Sequence, residues 1–111
     1  MKKLFTNYNF EFNKNEKKLL STFCKQALKQ MGDDNQFFGE VKAFNSILEK
    51  LQVESGSIKL TKDEKIRLTK NFKQNIDYLN KEMKKSWFIK KWIMKSLLKQ
   101  YNDIYENHFK G

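Results

Sequence analysis

The sequence contains no proline, one cysteine, one histidine and one arginine among its 111 residues. The single cysteine, Cys24, excludes an intramolecular disulfide and predicts a reducing compartment, the cytoplasm. The single histidine, His108, excludes a metal site or proton relay built from two histidines. Because His108 stands three residues from the end of the sequence, we expect it to be a solvated side chain in a segment that frays.

Long apolar runs are also missing. The longest are short triplets such as 87–89, so the sequence predicts no membrane-spanning helix. The lysines at the start resemble the first part of a signal peptide, but polar residues such as Asn7 and Glu11 interrupt the apolar stretch that should follow. We therefore expect a cytoplasmic protein. Binding of the last helix to a membrane surface is disfavoured, because its apolar face resembles an ordinary core face.

Motifs for catalysis or cofactor binding are absent as well. The sequence contains no phosphate-binding loop, dinucleotide fingerprint, zinc-protease helix or esterase elbow. Cys24 lies on an apolar helical stripe, where a buried thiol is expected rather than a nucleophile. Asp33 and Asp34 are adjacent in a turn without the spacing of an EF-hand, so a solvated turn explains them better than a cation site. The sequence predicts no enzyme, no cofactor and no metal.

What the sequence does have is positive charge. It carries 23 basic and 13 acidic residues, for a net charge of +10, and Arg67 is the only arginine. Scarce alanine, no proline and frequent lysine, asparagine and phenylalanine are typical of an A/T-rich genome, such as that of a low-GC bacterium or its mobile elements. The resulting field still attracts polyanions. The scarcity of arginine disfavours base readout, for which arginine is the preferred side chain.

The first half of the chain predicts a strand followed by two helices. Alternating apolar residues over 8–12 predict a half-buried strand, and Asn13 with Glu16 has the spacing of a capping box. An amphipathic helix follows and ends at Gly32, which suits a helix C-terminus. A second amphipathic helix is predicted from the apolar spacing over 37–51.

The second half repeats this pattern. Residues 58–60 alternate as the first strand does, and Thr61 and Glu64 form a second capping box. An offset of 48 residues aligns the strand, the cap and the first helix of the two halves, and an offset of 50 aligns the second helices. The change of offset falls at the turn between helices, where insertions are tolerated. We predict an internal duplication, with repeats at about 8–51 and 58–106 joined by a flexible connection at 54–57.

These elements define a fold class. We predict a mainly α protein, α+β at the margin, in which two strand–helix–helix repeats place four helices on a small two-stranded sheet, and pseudo-twofold symmetry favours an antiparallel strand pair. The whole chain, 1–111, is expected to be one domain. One core is predicted from the apolar stripes: Leu20, Cys24, Leu28, Val41, Phe44, Leu48, Leu68, Phe72, Ile76, Ile93 and Leu97.

The last helix is the most informative segment for function. Residues 84–99 contain six lysines, two tryptophans and no acidic residue. At about 100° per residue, the apolar residues cover one broad side, including Ile89, Ile93 and Leu97, while Lys91, Lys95 and Lys99 cover the other. Trp92 falls beside these lysines, and its equivalent in the first half is Lys42. Partial burial of Trp92 and an interaction role both remain open, whereas Trp87 and Phe88 are expected to fill the corner between two helices.

Two functions are compatible with this surface. The first is a small basic, non-enzymatic protein-interaction module, an accessory, inhibitor or immunity-type protein that binds a larger partner through Trp92, Lys91, Lys95 and Lys99. The alternative is a nucleic-acid-binding protein that uses the lysine-rich face of the last helix, with Trp92 available for base stacking. A protein partner is favoured over nucleic acid, because only Arg67 is available for base readout.

Overall fold

The computed structural model describes residues 7–52, 57–85 and 88–110. In these ranges the elements follow the order strand, helix, helix, strand, helix, helix. They are β1 (Asn7–Phe10), α1 (Lys14–Met31), α2 (Phe38–Gln52), β2 (Ile58–Thr61), α3 (Lys62–Lys85) and α4 (Phe88–Ile104). A 3-10 turn, Asn35–Phe37, precedes α2, and a π-helical turn, Tyr105–Phe109, follows α4. The predicted mainly α class with a small sheet is confirmed.

The two strands form an antiparallel pair, as the symmetry argument predicted. Phe10 lies opposite Ile58, and Tyr8 lies opposite Leu60. Phe10, Ile58 and Leu60 are buried, whereas Lys59 between them is exposed. The alternation therefore places one face of this short sheet against apolar side chains. Phe12 is also buried, but it follows the strand rather than extending it.

Both predicted capping boxes are present. At the start of α1, the Glu16 amide donates to Asn13 Oδ1 at 2.8 Å and the Asn13 amide donates to Glu16 Oε1 at 2.9 Å. The Thr61 and Glu64 pair repeats this exchange at the start of α3. α1 ends at Gly32, whose φ of 59° lies in the region that favours glycine. The local sequence therefore fixes where these helices begin and where α1 ends.

The chain divides into two compact units, Met1–Leu68 and Thr69–Gly111, and the division falls inside α3. In the first unit, α1 packs on α2, with the Phe23 ring against the edge of the Phe44 ring at 6.2 Å. The buried hydrophobic residues of this unit are Phe10, Phe12, Leu20, Phe23, Cys24, Ala43, Phe44, Ile47, Leu51, Ile58, Leu60 and Leu68.

The second unit is built around Phe72. The Phe72 ring stacks on Tyr101 at 4.9 Å and meets the edge of Phe109 at 5.3 Å. Ile76, Leu98 and Ile104 complete the buried residues. The expectation that the chain frays near His108 is wrong. The π-helical turn places Phe109 in this core, and His108 is half-buried rather than fully solvated.

The predicted core is correct for its most central positions and wrong for one helix. Leu20, Cys24, Phe44, Leu68, Phe72 and Ile76 are buried as predicted. Leu28, Val41, Leu48 and Leu97 are only half-buried. Ile93 is 61% exposed. The error arises because the apolar residues of α4 spread over a wide arc of the helix, and only part of that arc is buried.

Some predictions fall outside the described residues. They include most of the connection at 54–57 and the expectation that Trp87 and Phe88 fill a corner between two helices, since Trp87 and the Phe88 side chain are not described. The element order agrees with two strand–helix–helix repeats, while the duplication itself stays a prediction. No helix in the described ranges is long and apolar enough to span a membrane.

A candidate interaction surface on helix α4

Among the described side chains of helix α4, the buried ones lie on one side of the helix. Leu98, Tyr101 and Ile104 are buried, and Leu98 and Tyr101 lie about 60° apart around the helix axis. Ile93 lies about 140° from Leu98 on the same projection, which explains its exposure. The packing of Tyr101 on Phe72 therefore orients α4 so that part of its apolar arc faces outward.

The outward face of α4 carries two large exposed apolar side chains next to each other in the sequence. Trp92 is 76% exposed and Ile93 is 61% exposed. Together with Ser96, Leu97 and Gln100 they line an open depression of about 400 Å³. We call these five residues the α4 strip. Contiguous exposed apolar surface is a feature by which interaction sites are recognised, so the α4 strip is the candidate surface.

A row of lysines borders the α4 strip. Lys91, Lys95 and Lys99 are all exposed, and because they are four residues apart they follow one another along the helix. Lys99 forms an ion pair with Asp103 at 3.1 Å, with both side chains more than half exposed. Such a surface pair is weak, so Lys99 remains available to an acidic ligand. The predicted site residues are thus brought together on one face with Trp92.

Cys24 and Asp34 were considered for chemistry in the sequence analysis, and the structure places both in local structural roles. Cys24 is buried, and desolvation raises the pKa of its thiol to about 12, so the nucleophilic thiolate is not formed at neutral pH. Asp34 accepts hydrogen bonds from the Gln36 side chain and backbone amide, which lower the pKa of its carboxyl group. It caps the 3-10 turn before α2. Within the described residues, no cluster of potential metal ligands occurs.

Sequence reasoning missed a polar network around Glu64. The Glu64 carboxylate, 8% exposed, accepts from Ser46 Oγ at 2.6 Å, from Lys50 Nζ at 2.7 Å and from the Thr61 amide at 2.9 Å. Burial acts to raise the pKa of this carboxyl group, but the donated hydrogen bonds and the Lys50 charge outweigh it and leave the pKa lowered. The network connects α2 to the start of α3, so we assign it a structural role.

The only arginine is also used internally. Arg67 pairs with Asp63 at 3.0 Å and with Glu40 on α2, and the pKa of its guanidinium is raised by these hydrogen bonds. Gly39 makes room for this contact, since a Cβ there would lie 3.0 Å from Arg67 Nη2. Arg67 is therefore held in intramolecular ion pairs with Asp63 and Glu40.

No protein-family model matches this chain, and no significant similarity to a curated protein or to a solved structure was found.

Proposed function

We propose that this protein is a non-enzymatic interaction module, of the accessory, inhibitor or immunity type, that binds a larger protein through helix α4. The observation that carries the proposal is the exposure of Trp92 beside Ile93, at 76% and 61%. Tryptophan is enriched among residues that dominate binding energy at protein interfaces. The residues proposed to contact the partner are Trp92, as the main apolar anchor, and Lys91, Lys95 and Lys99 along one border.

The arrangement of the α4 strip supports a protein partner. Interfaces between proteins combine a desolvated apolar centre with a polar border. Trp92, Ile93 and Leu97 supply apolar surface, Ser96 and Gln100 supply hydrogen-bonding groups, and the lysines lie to one side. The cytoplasm is the proposed location, since Cys24 is a free buried thiol.

Nucleic-acid binding is the second candidate, and the exposed lysines next to Trp92 favour it. A base can stack on an exposed tryptophan, and lysines neutralise phosphates. Two observations weigh against it. Arg67 is held by Asp63 and Glu40, and Ile93 continues the exposed surface as an apolar side chain without a stacking face.

Photo-crosslinking in cells of the source organism tests the proposal. A benzophenone side chain placed at Ser96, inside the α4 strip, should form adducts that protease removes and nuclease does not. Trp92→Ala should abolish these adducts while leaving the melting midpoint nearly unchanged, because Trp92 is mostly exposed. Phe38→Ala is the matched control, since Phe38 is an exposed aromatic residue, 72%, on α2.

The opposite outcomes are equally informative. Nuclease-sensitive adducts would favour the nucleic-acid function. Adducts that persist in Trp92→Ala, or that Phe38→Ala removes equally, would rule out the α4 strip as the binding surface. Unfolding by Trp92→Ala would mean that Trp92 stabilises the fold.

A further inference from the structure

We infer that the partner presents an acidic amphipathic helix, which lies along the α4 strip with its carboxylates facing Lys91, Lys95 and Lys99. This inference rests on the proposed function and specifies the chemistry of the partner. It follows from the shape of the strip, the distribution of charge around it and the polar groups within it.

The shape of the α4 strip suits a helix. Its residues recur at the spacing of one helical face, from Trp92 through Ser96 to Gln100 on one line and from Ile93 to Leu97 on the next. At 1.5 Å per residue, the first line runs for about 12 Å, or roughly two turns, and the second for about 6 Å, or roughly one turn. A partner helix contacts such a surface through apolar anchors three or four residues apart. Interlocking side-chain rows are the usual way in which two helices pack.

The charge around the α4 strip specifies the sign of the partner. Lys90, Lys91, Lys95 and Lys99 are exposed on α4, and Asp103 is the only acidic residue in the helix. Lysines spaced by four residues match carboxylates spaced by three or four residues on a facing helix. A second copy of this chain is disfavoured as the occupant, since face-to-face contact would bring two such lysine rows together in a protein of net charge +10.

The polar side chains of the α4 strip distinguish a protein helix from a nucleic acid or a membrane. Ser96 and Gln100 follow Trp92 along the helix, beside the line of Ile93 and Leu97, and they offer both donors and acceptors. Polar side chains of a partner helix can pair with them, whereas a lipid interior cannot. A nucleic-acid strand would gain stacking from Trp92 but nothing comparable from Ile93 and Leu97.

Synthetic peptides of 18 residues provide the test with the full-length protein. The first peptide carries leucine and phenylalanine at helical spacing with glutamate on the flanks. The second replaces each glutamate with lysine, and the third keeps the acidic composition but scrambles the apolar spacing. An 18-nucleotide single strand serves as the nucleic-acid probe. Binding is measured by isothermal titration at two salt concentrations.

We expect the acidic amphipathic peptide to bind at least roughly tenfold more tightly than the other two peptides and the oligonucleotide. Trp92→Ala should weaken its binding at least roughly tenfold, as expected for an apolar anchor of the interface. Replacing Lys91, Lys95 and Lys99 with Gln should weaken binding and reduce its salt dependence. The control variant replaces Lys14, Lys18 and Lys25 with Gln, three exposed lysines on α1; it loses the same charge and should bind nearly as the wild type does.

Several results would overturn the inference. If the scrambled peptide binds as tightly as the acidic amphipathic peptide, charge alone is recognised. If the basic peptide binds as tightly, apolar contact alone is recognised. Tighter, Trp92-dependent binding of the oligonucleotide would favour nucleic acid. Absence of peptide binding together with Trp92-dependent protein crosslinks would reject the acidic helix and leave the interaction function standing. Absence of those crosslinks would instead reject the function.

Discussion

Replacement of Glu64 by Ala should destabilise the protein because it removes a hydrogen-bond network that joins α2, β2 and α3. Glu64 accepts hydrogen bonds from Ser46, Lys50 and the Thr61 amide while its side chain is only 10% exposed. A net contribution of roughly 1.5–3 kcal/mol is typical of a hydrogen bond to a charged group. Lys50 is 35% exposed and can regain water when its partner is lost, which limits the cost. We expect a loss of about 2–4 kcal/mol.

The chain supplies its own control for this substitution. Glu16 occupies the same position in the exposed capping box at the start of α1. Glu16→Ala should cost about 1 kcal/mol, the scale of a capping interaction. The difference between the two variants compares the part-buried network at Glu64, which includes Ser46 and Lys50, with the capping box at Glu16. A double-mutant cycle of Glu64→Ala with Lys50→Met should give a coupling energy of about 1 kcal/mol or more.

Urea denaturation followed by circular dichroism measures these free energies, and pH provides a second assay. Because the folded-state pKa of Glu64 is lowered from 4.5, its stabilising contribution is fully present above that value and is lost as the pH falls through the folded-state pKa. The stability difference between wild type and Glu64→Gln should therefore shrink below about pH 4.5. A Glu64→Ala variant no less stable than Glu16→Ala would refute this account of the network.

Two further predictions concern the cores. Phe72→Ala should lower the free energy of unfolding by about 3–5 kcal/mol, because Phe72 is fully buried between Tyr101 and Phe109; a loss well under 1 kcal/mol in urea melts would contradict that packing. Cys24 should react with a thiol-specific disulfide reagent only after denaturation, since it is buried and its thiol pKa is raised to about 12; rapid labelling of the native protein at neutral pH would show that the thiol is accessible.

Much of the local structure could be predicted because it depends on neighbouring residues. The capping boxes at Asn13 and Thr61 need only a side chain that reaches an amide three residues away. The end of α1 needs only a residue that tolerates positive φ, which Gly32 provides. Strand alternation likewise follows from a period of two residues.

The orientation of α4 could not be predicted in the same way. Its apolar residues cover a broad arc, and periodicity does not say which part of such an arc is buried. Tyr101 and Leu98 take the buried side, which leaves Ile93 with Trp92 at the surface. The Glu64 network was missed for a related reason. Ser46 and Lys50 are ordinary polar residues on α2, and only the tertiary packing brings them to a capping residue of α3. The exposure of Trp92 was left open by its position in the sequence and follows from this orientation.

The register of β1 and β2 indicates how one predicted repeat would assemble if it existed as a separate chain. Phe10 faces Ile58, and these two residues are equivalents at the predicted offset of 48. Tyr8 faces Leu60, and Leu60 is the equivalent of Phe12 at the same offset. This register is the one expected for a local twofold axis that passes through the Phe10 and Ile58 pair. A single strand–helix–helix half would lack the strand that completes its sheet. A second copy of that half could supply the strand, with Phe10 meeting Phe10 on the axis, so the predicted duplication implies that a single repeat would assemble as a symmetric dimer.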